Sequence, residues 1–178
     1  MNKIAVLLGQ EQKLFHTGDL ALLWRCSNKN TLHTTIKRFV DRGILHPIHK
    51  GFYSVLPLDR IDPVALGIGS LHRYCYVSTE TILAKEGIIS QITNRITLIS
   101  DVSRSFSING HASLCRRLKP LHLFNSAGIV QENNGILIAT VERAIADMRY
   151  FNPHASFDAH TRIDWNAVKQ VQKEVGYL

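Results

Sequence analysis

Apolar residues recur at helical spacing from the start of the chain. Ile4, Leu7, Leu8 and Leu14 predict a first helix over 3–14. Leu20, Leu23 and Trp24 stand at i, i+3 and i+4 and predict a second, with Thr17 as N-cap and Asp19 at the positive end of its dipole. The polar turn "RCSNKN" follows. Leu32, Ile36, Phe39 and Val40, at i, i+4, i+7 and i+8, then form one stripe of a third helix that starts at Asn28 or Lys29. Gly43 predicts its end. Beyond it the period changes. "ILHPIHKGFYSV" has extended character, and Pro47 limits its first arm to an edge strand. Lys50–Gly51 suits a hairpin tip, and Phe52, Tyr53 and Val55 supply the β-favouring return.

The segment "YSVLPLDRIDP" reads as a boundary near Asp59, dividing the chain into 1–58 and 59–178. Asp62–Pro63 starts a helix over 62–73. Tyr74–Val77 predicts a strand, and Ser78 an N-cap for a helix ending at Gly87. "RITLIS", "LHLF" and "GIVQENNGILIA" add strands, the last folded at Asn134–Gly135. Thr140 caps a helix carrying Glu142, Arg143 and Asp147. The polar stretch "NPHASFDAHTRID" links it to a last helix, capped by Asp164, with Trp165, Val168, Val171 and Val175 on one face. Strands and helices mix without steady βαβ alternation, so the fold class is α+β: three helices and a hairpin, then a mixed α/β domain.

Charge sharpens this division. The 178 residues carry a net +7, and residues 1–58 hold eight basic against three acidic residues, a net +5. Such a balance favours an anionic partner without specifying a fold. Cys26, Cys75 and Cys115 are odd in number and widely spaced, which is no disulfide framework. "MNKIAVLLGQEQK" lacks a cleavage-site pattern and reads as a helix rather than a signal peptide. No apolar run nears bilayer length, so the expectation is a cytoplasmic protein with no membrane partner.

Two short helices joined by a tight polar turn, the second with a polar and basic outer face, make a helix-turn-helix arrangement. A helix fits the major groove of B-DNA, where its N-terminal side chains reach base edges. Asn30, His33 and Thr34 are suited to base edges. Lys29, Lys37, Arg38 and Arg42 suit phosphates, which position the protein without reading sequence. The hairpin that follows is a wing, with His46, His49 and Lys50 placed for a neighbouring phosphate or the minor groove. His46-x-x-His49 has no further ligands at supporting spacing, so no metal and no cofactor is expected. A solvated basic face and a protein-docking winged helix remain the competing readings.

These residues resemble a family. "FHTGDLALLW…TLHTTIKRFVDRGILHPIHKGFYSV" looks like the winged-helix N-terminal domain of AbiEi-type antitoxins and related transcriptional regulators. "DPVALGIGSLHRYCYVSTETILAKEGIISQ" and "ILIATVERAIADMRYF" resemble later segments of that family, and "FD…IDW" is in keeping. The resemblance spans about residues 12–151 and rests on the order and spacing of segments rather than on one specific motif. It implies a bacterial repressor of its own operon, bound to double-stranded operator DNA; an operator with two half-sites would be met by a dimer or by two monomers binding cooperatively. It also implies the antitoxin half of a type IV toxin–antitoxin system, opposed to a nucleotidyltransferase-like toxin that need not bind it stably. The chain is shorter than many such antitoxins, and a stand-alone regulator is the other form the resemblance allows.

The second domain offers less chemistry. Glu142 and Asp147, five apart, do not share a helix face, while Arg143 and Asp147, four apart, can pair. No third partner or activating element accompanies Cys75 or Cys115 as a nucleophile. No enzyme is expected, and a nucleic-acid-processing activity is the lesser alternative. "CRRLK" concentrates Arg116, Arg117 and Lys119 in a second basic patch, read as a loop facing DNA, an acidic partner or solvent.

Overall fold

The computed structural model describes residues 2–91 and 94–178. It is mixed α+β, with eight α-helices and two sheets among those residues. The chain divides into two compact units between Ser70 and Leu71.

The first unit runs α1 (Lys3–Leu8), β1 (Leu14–His16), α2 (Thr17–Leu23), α3 (Lys29–Asp41), β2 (His46–His49) and β3 (Phe52–Ser54). Its sheet has the order β1-β3-β2, antiparallel throughout. The predicted first helix is shortened. It ends at Gly9, and Leu14 instead pairs with Ser54 in β1, giving β3 a partner on its second side. The N-cap of α2 is His16 rather than Thr17, and Asp19 reaches back to the His16 N–H at 2.7 Å. The third helix matches its pattern: Leu32, Ile36 and Phe39 are buried against Leu7, Phe15, Leu20, Trp24 and Leu45. Each such side chain contributes about 1.5–3 kcal/mol by leaving water. Trp24 meets Phe39 edge-on, and its indole N–H donates to the Lys3 carbonyl at 3.2 Å. Gly43, at φ 66°, ends α3, and Gly51, at φ 82°, sits in the hairpin turn. Pro47 lies on the edge strand β2, where its missing N–H is tolerated.

Helix α4 (Pro63–Leu71) starts with Asp62 accepting the Val64 N–H at 3.0 Å. Its body belongs to the first unit, so the division falls at its end rather than near Asp59. The reason is packing. His16 Nε2 is 2.9 Å from the Gly69 carbonyl, and Gly69 lies so close to Phe52 that a Cβ there would be 2.5 Å from the ring.

The second unit holds β4 (Cys75–Val77), α5 (Glu80–Lys85), β5 (Arg95–Ser100), β6 (Arg104–Ile108), β7 (His111–Arg117), α6 (Pro120–Leu123), β8 (Ile129–Gln131), β9 (Leu137–Ala139), α7 (Val141–Phe151) and α8 (Trp165–Val175). The six-stranded sheet has the order β6-β7-β5-β4-β9-β8 and mixes parallel with antiparallel pairs. "LHLF" is helical rather than a strand, because Pro120 stands at the first helical position behind Lys119. The cap of α5 is Thr79, while the Ser78 hydroxyl turns inward. "CRRLK" is not a loop, since Cys115–Arg117 form the end of β7. No helix among the described residues is long and apolar enough to cross a membrane.

Candidate nucleic-acid interface

The candidate residues of α3 take three different surroundings because a helix turns about 100° per residue. The Asn28 carboxamide begins the helix, accepting the Thr31 N–H at 3.1 Å. Asn30, Thr34, Lys37 and Asp41 then run along the side opposite the buried stripe, all exposed. Lys29 and His33 lie on one flank. They line a groove of about 720 Å³ with Thr17, Gly18, Ala21 and Leu22 of α2. Arg38 and Arg42 lie on the other flank, in a pocket of about 330 Å³ with Asn2, Lys3 and Thr35.

The hairpin is tied to the first of these flanks. The Gly51 carbonyl accepts from the Thr17 N–H at 2.9 Å and the Thr17 hydroxyl at 3.3 Å. Thr17 also lines the groove that holds Lys29 and His33. The turn at Lys50 therefore neighbours the N-terminal half of α3, and both His49 and Lys50 are exposed. The His49 ring lies 5.2 Å from that of Phe52. Lys3 and Thr17 are additions from the structure. No spacing rule links Lys3 to Arg38 or Thr17 to Gly51, because both pairs meet only through tertiary packing.

The second patch is smaller than its sequence suggests. Arg116 is paired with Glu80, both side chains half-buried, and its guanidinium lies 5.5 Å from the Phe151 ring. Arg117 and Lys119 are exposed. Two cations rather than three are left for a partner.

Comparison with protein-family models gives no match, and no curated protein matches the chain.

The most concentrated charge in the second unit is buried. Arg143 and Asp147 are both fully inaccessible and pair at 2.9 Å along α7. Arg143 Nη1 donates to the carbonyls of Asn125 and Ala127, and Nη2 to the Tyr76 hydroxyl and the His122 carbonyl. With Nε on Asp147, all five N–H groups are used. Asp147 accepts from Tyr177 as well as Arg143 on Oδ1, and from Tyr76 and Ser78 on Oδ2. Burial and the Asp147 charge push the Tyr76 and Tyr177 phenols well above their ordinary range. Burial opposes the charge on Arg143, but Asp147 and the two phenols outweigh it and raise its pKa. Perturbed titratable groups often mark active sites. Here every donor is matched and the Arg143–Asp147 pair itself is closed to solvent, which is the arrangement of a scaffold.

The thiols differ in kind. Desolvation pushes Cys75 up to about 12 and Cys115 up to about 11, so each is almost wholly protonated near neutral pH. Among the described residues no group of three or more His, Cys, Asp or Glu is placed to hold a metal.

Proposed function

We propose that the first unit is a winged helix-turn-helix that reads operator DNA, and that the chain is an autorepressing antitoxin of AbiEi type opposed to a nucleotidyltransferase-like toxin. The carrying observation is the exposed line of Asn30, Thr34 and Lys37 opposite the buried stripe of α3, with the hairpin turn held beside the helix's N-terminal half by Thr17 and Gly51. The element order and the sheet order β1-β3-β2 support the winged-helix reading. In this reading α3 lies in the major groove. Asn30, His33 and Thr34 meet base edges, while Lys29, Lys37 and Lys50 meet phosphates.

A gel shift with DNA from upstream of the native operon, at several salt concentrations, tests the first part. With roughly five phosphates neutralised, log K falls against log salt with a slope of about −4 to −5. Equal affinity for all sequences together with a flat salt response overturns the proposal. The antitoxin part is tested by co-expression with a nucleotidyltransferase-like neighbour: growth is restored only when this chain is present.

One observation favours a second reading, docking of a protein. The groove between α2 and α3 is largely apolar, and Leu22 at its rim is 80% exposed. Leu22→Ser separates the two readings. Serine rather than an acid adds no charge beside Lys29, so the change weakens protein docking and leaves the salt-dependent DNA term standing.

A further inference from the structure

We infer that Lys3, Arg38 and Arg42 form a phosphate-binding pocket on the α1 flank of α3. Its ligand is a backbone phosphate of the duplex that α3 reads, and to that extent the inference rests on the function proposed above.

Three observations carry it. First, three cations line one pocket of about 330 Å³ with Asn2, Ile4, Thr35 and Phe39, and no carboxylate is among the lining. Arg38 and Arg42 stand at i, i+4, where like charges oppose the helix. Among the described residues none of the three makes an ion pair, so the sites that would neutralise them are open.

Second, Lys3 is held in place. Its carbonyl accepts the Trp24 indole N–H at 3.2 Å, which fixes the backbone to the core. Its Nζ lies 3.4 Å from Thr35 Oγ1 and 5.6 Å from the Trp24 ring. Thr35 Oγ1 itself donates to the Thr31 carbonyl at 2.8 Å, leaving a lone pair for the ammonium. Thr35 is therefore a positioning residue. A lysine directed this way along α3 is no freely solvated side chain.

Third, the acceptors in the pocket's lining are already engaged, so what it offers a ligand is donors. Guanidinium and ammonium groups donate and never accept. Asn2 Oδ1 is occupied by the Ala5 N–H, which turns its amide nitrogen into the available end. A compact oxyanion with several acceptor oxygens meets this set, as a phosphate does. The position also agrees with a backbone contact. The pocket flanks the exposed line of α3 rather than lying on it, where contacts fix register without reading bases.

A phosphate can come from the duplex or from free solution, and two titrations tell them apart. The Trp24 indole N–H resonance reports on the pocket through Lys3, and that of Trp165 in the second unit is the internal control. The full chain is titrated with inorganic phosphate, with upstream duplex DNA, and with chloride at matched ionic strength. The expected result is a shift of the Trp24 signal with duplex, lost in Lys3→Gln and in Arg42→Gln. Each of these variants also flattens the salt slope by up to about one, and Lys3→Gln with Arg38→Gln together lose less affinity than the two losses combined. If the duplex does not bind but phosphate moves Trp24 in wild type and not in Lys3→Gln, the DNA reading falls and the pocket stands as a site for a free phosphate. If Lys37→Gln loses the duplex and keeps the phosphate shift, the pocket stands apart from the reading face. If neither ligand moves Trp24, or if Lys3→Gln and Arg42→Gln leave both shift and slope unchanged, the pocket is overturned. Arg42 is exposed on the helix surface, so its variant guards against a folding defect at Lys3.

Discussion

The Tyr177 hydroxyl donates to Asp147 Oδ1, tying the last residues of the chain to the middle of α7. It is the outermost link of a network in which Arg143 and Asp147 are both wholly buried. A buried pair is weak evidence of net stability, but breaking one is costly because it strands a charge.

Arg143→Met should therefore destabilise the chain by about 3–5 kcal/mol, since it leaves the Asp147 carboxylate buried without its cation. Tyr177→Phe removes one hydrogen bond from a carboxylate that keeps three others, and should cost about 1–2 kcal/mol. Urea denaturation followed by circular dichroism measures both. A loss for Arg143→Met no larger than that for Tyr177→Phe would contradict the network's role.

Gly69→Ala sets two effects against each other. Alanine favours a helix by about 1 kcal/mol over glycine. The new Cβ would lie 2.5 Å from the Phe52 ring, and overpacking a tight core costs about 1–3 kcal/mol. Phe52 is almost completely buried and has little room to give. The clash should win, with a net loss of up to about 2 kcal/mol and a lowered melting temperature.

The Asp158 carboxylate accepts both the Ser90 N–H at 2.5 Å and the Ser90 hydroxyl at 2.7 Å, and these bonds hold its pKa below the ordinary value. A depressed carboxylate stabilises the fold above its unfolded pKa, and that contribution is lost as pH falls through the folded value. Amide exchange at Ser90, corrected for its intrinsic pH dependence, should show protection above about pH 4. The protection should fade at lower pH, and Asp158→Asn should remove this acid limb.

On DNA, Lys37→Ala should weaken all sequences alike and flatten the salt slope by about one, whereas Asn30→Ala should relax preference at one base position by roughly 1–3 kcal/mol. Competition binding against single-base operator variants separates the two patterns. Unchanged binding in both variants would remove α3 from the groove.

Much of the first unit was legible because its signals are local. The stripe Leu32, Ile36, Phe39 and Val40 gives α3, Gly43 gives its end, and Lys50–Gly51 gives the hairpin turn. β1 is hidden because a three-residue strand has too few positions to show a period, and Leu14 continues the helical spacing of Leu7. In the second unit, Asn109–Gly110 turns β6 into β7, with φ values of 50° and 82°. It is the same kind of signal as Asn134–Gly135 and was available to the same rule. Burial of Arg143 was not legible. An Arg–Asp pair at i, i+4 reads as a surface ion pair until Tyr76, Ser78 and Tyr177 arrive from distant parts of the chain. The placing of Lys29 on one flank of α3 and of Arg38 and Arg42 on the other was equally hidden, since it depends on where α1 and α2 pack.

Helix α3 devotes Leu32, Ile36 and Phe39 to the core and leaves Asn30, Thr34 and Lys37 in solvent. Substitutions on that outward line cost little stability. Under the proposed function, recognition by this helix can therefore be retuned one residue at a time while the scaffold beneath it stays fixed.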